Sequence, residues 1–396
     1  GLLDADGRDL PLQLQGEAEA GGTSRTVVVS EAQQTLVFTG ITAAPVPSLL
    51  RDLSAPVTLD HAYTDTELLT LLAHDANAFN RWEAGQRLSL QRAITAIANN
   101  AAMAPASVLD DAYIAALRQV LRHPTLDAAF KELALTLPSE GYIAEQLDVV
   151  DPQRIHTVRE AMRAELATAL HADWQWAFET HSDNGAYSPD ATSSGRRALA
   201  NLALANLCLA ARSSGDTVWP GKTLQRFKDA GNMTDRFGAL SALVASGHPL
   251  AGDALARFHA LFRGEDLVID KWFALQAGAP DRGGDVLPRV RSLMQHPDFS
   301  LRNPNRARSL VATFCQANPG AFHRADAAGY VYWSERVIEL DGINAQVAAR
   351  LARALDRWKK LAEPYRSAAR EAIARVAAKP DLSNDVREVV TRALVE

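Results

Sequence analysis

Metal-dependent hydrolysis needs two imidazoles about one helical turn apart and a carboxylate base beside them. The ten histidines are therefore the first residues to inspect; they stand at 61, 74, 123, 156, 171, 181, 248, 259, 296 and 323. The closest pair, His171 and His181, is ten residues apart, and no His-Glu-x-x-His occurs. His123, His248 and His296 each precede a proline at an expected helix end. That setting favours contacts with terminal carbonyls and the helix dipole over a metal. Gly221-Lys222-Thr223 ends like a phosphate-binding loop, but Asp216 occupies the position of its first glycine and no strand leads in. The segment reads as a helix start with Thr223 in the first turn. No Gly-x-Gly-x-x-Gly after a strand, Gly-x-Ser-x-Gly or Cys-x-x-Cys is found.

Arginine remains. It outnumbers lysine 34 to 7. Two arginine-bearing segments stand out by position. Arg302-Asn303-Pro304-Asn305-Arg306-Ala307-Arg308 opens a helix, with Asn303 as N-cap and Pro304 at N1. The segment from Asn344 to Leu351 opens another, and its Gln346 and Arg350 are i and i+4 on one face. Read alone, each is a solvated helix face, with a ligand site as the alternative.

The elements that would carry these residues change character near residue 60. Before it, β structure is expected: a hairpin turn at Asp6-Gly7, runs at Arg25–Val29 and Thr35–Phe38, and a short strand at Val57–Leu59. These are too few strands for a closed sandwich. After it, the apolar period is helical. Thr64-Asp65-Thr66-Glu67 is a capping box, and about fifteen helices follow, one of them over 151–180. The helix with Leu199, Leu202, Leu204, Leu207 and Leu209 is apolar almost all round and should be central. The fold class expected is mainly α: a solenoid-like array of antiparallel helix pairs over 61–396, after a partial β-sandwich domain over 1–60.

Composition narrows the function classes. The 396 residues are 47% hydrophobic and 22% charged, as in globular proteins, and the formal charge of -6 argues against a nucleic-acid partner. No stretch is apolar enough to span a membrane. Cys208 and Cys315 sit in apolar runs and read as buried thiols, which fits a reducing, cytoplasmic compartment. The first residues carry neither an initiator Met nor a signal-peptide pattern, so the chain is expected to begin partway through a domain.

From Asn77-Ala78-Phe79-Asn80-Arg81-Trp82-Glu83-Ala84 onward, the chain resembles the C-terminal half of the bacterial aminopeptidase N (alanyl aminopeptidase) family of zinc metallopeptidases. Other matching segments, on both sides of it, come in the family's order: Pro45–Leu50 with Ser54–Val57, Asn232–Asp235, Asp270–Gln276, Asn303–Arg306 with Arg308–Leu310, Asn318-Pro319 with Ala321–His323, and Gln346–Ala348 with Arg350-Leu351. The similarity covers essentially the whole chain.

The resemblance implies a helical domain that caps a zinc domain and encloses a peptide cavity, with Arg308, Gln346 and Arg350 lining it. It implies a catalytic zinc in the parent protein and no cofactor in this chain, because the family's zinc and substrate motifs are absent here. It implies as partners the N-terminal and zinc domains of the same polypeptide and short peptides, with no nucleic acid or membrane, and a bacterial cytoplasmic location. It also implies that sandwich strands upstream of Gly1 are missing. A free-standing helical-repeat interaction module is the alternative, and an unrelated enzyme with an unmarked acid/base pair is a third reading.

Overall fold

The computed structural model describes residues 1–99, 107–183 and 185–395. The N-terminal segment holds two short strands, β1 (Leu2–Leu3) and β2 (Val46–Pro47), paired antiparallel with Leu2 opposite Pro47 and Leu3 opposite Val46. The Asp6-Gly7 turn forms as expected. Gly7 takes φ 81, Asp4 N–H donates to Arg8 O at 2.9 Å, and Leu3 bridges Asp9. Of the other expected strands, only Phe38 makes a bridge, to Leu14. Val28 and Val29 are 79% and 68% exposed. β-branched residues favour strands where they pack on a half-buried pleated surface, and this run has none.

Nineteen α-helices follow among the described residues. The first begins at Asp65 behind the expected capping box: Thr64 N–H donates to Glu67 Oε2 at 2.7 Å, and Glu67 N–H donates to Thr64 Oγ1 at 3.3 Å. The helix expected over 151–180 is two, Pro152–Ala169 and His171–His181, broken at Leu170 (φ -104, ψ 20). Leu170 is fully buried, and neither Gly nor Pro marks the break. The leucine-rich helix Ala191–Ser214 buries Leu199, Leu204, Leu207, Cys208 and Leu209, in line with its all-round apolar pattern. No helix among the described residues is long and apolar enough to cross a membrane.

The three His-Pro junctions share one device, and it differs from the expected carbonyl contact. In each, the imidazole Nδ1 faces the backbone N–H two residues on: Thr125 at 3.3 Å from His123, Leu250 at 3.2 Å from His248, and Asp298 at 3.2 Å from His296. Proline has no N–H, so the next residue carries the first donor the ring can reach.

The chain divides into two compact units. One comprises residues 1–95, 107–138 and 168–203; the other is chiefly Ser139–Ala167 and everything from Leu204 on. In the first, Asp173 is clasped by Arg118 at 2.9 Å and Arg122 at 2.7 Å. In the second, Phe314, Phe322, Tyr330 and Tyr332 stack edge to face with centroids 5.4 to 5.8 Å apart, an arrangement the ring quadrupoles favour. The helix Ala328–Asp341 enters this core on Gly329, where a Cβ would stand 2.0 Å from the carbonyl oxygen of Phe322. Gly329→Ala should therefore lower the unfolding midpoint by the equivalent of about 1–3 kcal/mol. Urea denaturation followed by tryptophan fluorescence checks this, and an unchanged midpoint would contradict the close approach.

Candidate functional site

The second unit builds a cleft from two helical segments. On one side, the Asn303 side chain accepts N–H bonds from Asn305 (3.0 Å) and Arg306 (3.3 Å), and Pro304 starts the turn Pro304–Ala307. The chain then continues as a π-helix over Arg308–Ala317. Thr313 Oγ1 donates to the carbonyl of Arg308, five residues back, at 3.3 Å. Helices with i→i+5 bonding are rare and often found at functional sites. On the other side, Asn344 caps the helix Ala345–Ala352 by accepting from Val347 N at 3.1 Å.

Buried polar contacts hold both sides in place. Arg306 is 4% exposed. It pairs with Asp270 at 2.9 Å and Asp266 at 3.2 Å, on the helix Asp266–Ala277, with its guanidinium 5.4 Å from the centre of the Phe273 ring. At the far end, buried Asn318 donates to Ala277 O (2.9 Å) and Ala279 O (2.8 Å). Trp333 Nε1 donates to Leu351 O at 2.9 Å, and Gln316 Nε2 donates to Arg350 O at 2.8 Å across the two sides.

Between them lies a cleft of about 520 Å³ whose lining includes Arg308, Gln346 and Arg350. The structure thus brings the three sequence-derived residues to one opening, all with exposed side chains. Its floor is apolar, with Val311, Leu340, Val347 and Leu351. Arg308 donates from Nε to Pro304 O at 3.2 Å and from Nη2 to Asn305 Oδ1. Among the described residues, neither Arg308 nor Arg350 has a carboxylate within ion-pair distance. Among the described residues, no carboxylate, imidazole or thiol lines this cleft. Guanidinium forks and amides of this kind can bind a carboxylate or peptide carbonyls.

Sequence reasoning missed Gln316, whose partner is the main chain of another helix, and a cluster of His259, His296 and Asp298 with donor atoms within 4.8 Å of one another. No local spacing announces either. Gly221-Lys222-Thr223 lies inside the helix Val218–Asp229; Thr223 Oγ1 donates to Trp219 O at 2.8 Å, and Lys222 Nζ sits 4.4 Å from the Trp219 ring centre. Those contacts leave no phosphate cradle. Cys208 and Cys315 are buried, and burial pushes the Cys208 thiol up to about 11.

A second opening of about 250 Å³ shares Gln316 with the first and includes His323 in its wall. His323 Nδ1 is 2.8 Å from Tyr330 Oη, and Phe322 packs on the ring at 4.9 Å. Desolvation pushes this imidazole down to about 4, although a small part of its surface reaches the opening.

The comparisons with known proteins bear on the whole chain. Residues 65–395 match the family described as "Domain of unknown function (DUF3458_C) ARM repeats". The chain belongs to this family. Residues 1–62 match "Domain of unknown function (DUF3458) Ig-like fold". The expected helical array behind a small β domain agrees with both descriptions. The chain is 37% identical to aminopeptidase N of Caulobacter vibrioides over 394 residues, covering 100% of this chain and 43% of that protein. It is 36% identical to aminopeptidase N of Escherichia coli, covering 99% of this chain and 44% of that protein. A solved structure of Legionella pneumophila aminopeptidase A in complex with aspartic acid matches with a TM-score of 0.80 and 26% identity, over 100% of this chain and 44% of that one. The resemblance to aminopeptidase N therefore holds along the full chain, which spans less than half the length of these relatives. The His-Glu-x-x-His zinc-binding pattern is not in the sequence.

Two arginines two positions apart should behave oppositely. Arg306→Ala leaves Asp270 buried without its partner and should cost about 3 kcal/mol of stability. Arg308→Ala, at an exposed position, should stay within about 0.5 kcal/mol. Denaturant titration of both variants checks the contrast, and equal losses would refute it. His323 yields a pH dependence. The unfolded chain, with its imidazole near 6.5, binds a proton more readily than the native state does. Stability from this group is complete above about pH 6.5 and falls as the pH drops toward about 4, by at most about 3 kcal/mol. His323→Phe should flatten the thermal-midpoint profile across that window, and an unaltered profile would count against the buried neutral imidazole.

Proposed function

We propose that this chain is the non-catalytic C-terminal region of a zinc-dependent aminopeptidase that removes N-terminal residues from peptides. In this reading it caps the catalytic domain, encloses the substrate cavity and contributes arginine contacts. Its partners are the N-terminal and zinc domains of the same polypeptide and short peptides, in a bacterial cytoplasm. The observation that carries the reading is the cleft in which Arg308, Gln346 and Arg350 converge without a neighbouring carboxylate. Similarity along the whole of this chain to part of the aminopeptidase N sequences supports it.

The physical role follows from the residue types. An enclosed cavity lowers the local dielectric, so a guanidinium fork holds a peptide carboxylate or carbonyl more tightly than it would in water. Such contacts orient a peptide and select short chains, while the bond-breaking step belongs to groups outside this chain.

Two measurements test this. The chain alone should release no amino acid from an alanyl reporter substrate. In a full-length enzyme containing this region, Arg308→Ala and Arg350→Ala should raise KM several-fold with little change in kcat, as expected when binding common to ground and transition states is lost. Turnover by the isolated chain, or an unchanged KM in both variants, would overturn the proposal.

A further inference from the structure

His259 meets His296 and Asp298, some forty residues further along the chain, beside Trp272. His259, on the helix Leu250–Phe262, places Nε2 2.6 Å from Asp298 Oδ2. His296 Nδ1 lies 3.9 Å from the same oxygen. The two imidazole centroids are 4.9 Å apart. The side chains of His259, His296 and Asp298 are 23%, 26% and 35% exposed, so water has access to the cluster.

The rings are held in place. Trp272 packs 5.0 Å from His259 and 5.2 Å from His296, and Phe273 lies 5.8 Å from His296. Trp272 is itself fixed by a 3.0 Å bond from Nε1 to Leu255 O. Two oriented imidazoles and a carboxylate, backed by an apolar wall and open to water on one side, are the donor set that borderline divalent metals take. Two features oppose binding. The His296 Nδ1 lone pair accepts the Asp298 N–H, at a long 3.2 Å, and Arg306 adds positive charge at His296. The first is a weak bond for a metal to displace. The second is reduced by the pairing of Arg306 with Asp266 and Asp270.

The geometry points to a divalent metal site of zinc type formed by His259, His296 and Asp298, with water as the remaining ligand. Bonds of 2.0–2.2 Å in a tetrahedron put ligand atoms roughly 3.3 Å apart. His259 and Asp298 therefore separate by a fraction of an ångström, and His296 closes on Asp298 by a similar amount and on His259 by up to about 1.5 Å. A bound ion would tie the helix Leu250–Phe262 to the turn after Val286–Leu293, the segment that leads into the Asn303 cap.

The test is titration of the metal-free chain with Zn²⁺ and with Co²⁺. The expected result is saturable binding of one ion at this cluster, ligand-field absorption of four-coordinate Co²⁺, and quenching of tryptophan fluorescence through Trp272. His259→Ala and His296→Ala should each weaken binding by more than about tenfold, whereas His248→Ala should not. Far-UV circular dichroism verifies that each variant is folded. Should the alanine variants unfold, Asp298→Asn removes the anionic ligand at nearly constant shape and should also weaken binding about tenfold or more. Absence of saturable binding, or binding unaffected in the folded variants, would overturn the assignment.

Discussion

The arginine-lined wall is pinned at both ends to a single helix. Arg306 grips its start through Asp266 and Asp270, and Asn318 grips its end through the carbonyls of Ala277 and Ala279. Arg306, Asp270 and Asn318 are buried polar groups, so each must be satisfied or the fold pays a desolvation cost comparable to a lost hydrogen bond. The two clamps decide where the intervening residues lie. The cleft, from its apolar floor to its exposed guanidiniums, depends on them.

Arg306 and Arg308 illustrate how little residue type alone conveys. Both belong to the segment Arg302–Arg308 that drew notice in the sequence. One is enclosed between two aspartates and an aromatic face; the other stands in solvent with only local neutral acceptors. The first spends its charge on holding the structure together. The second has only neutral local acceptors, so its charge is not committed to an ion pair among the described residues.

What could be read from the sequence follows the range of the interaction. The Thr64 capping box, the Asn303 cap with Pro304 and the turn at Gly7 were legible because each is closed within a few residues. The Leu170 break was not, because no Gly or Pro enforces it. The β-branched run at 25–29 was misread, since strand preference depends on a packing surface that the local sequence does not contain. At the cleft, Arg308, Gln346 and Arg350 could be named in advance, but only through resemblance to a family. Their convergence depends on contacts between separate helices. The Gln316 to Arg350 bond and the meeting of His259 with His296 and Asp298 join residues far apart along the chain, where periodicity carries no information.

The π-helix over Arg308–Ala317 has a consequence for how this wall can change over time. A helix bonded i→i+5 carries surplus chain relative to an α-helix. With both ends anchored, losing one residue there would let the segment relax toward the commoner form without dragging its anchors along. Indels that would ruin an ordinary helix face thus become a means of re-cutting this surface, exchanging the side chains exposed on it while the foundations stay where they are.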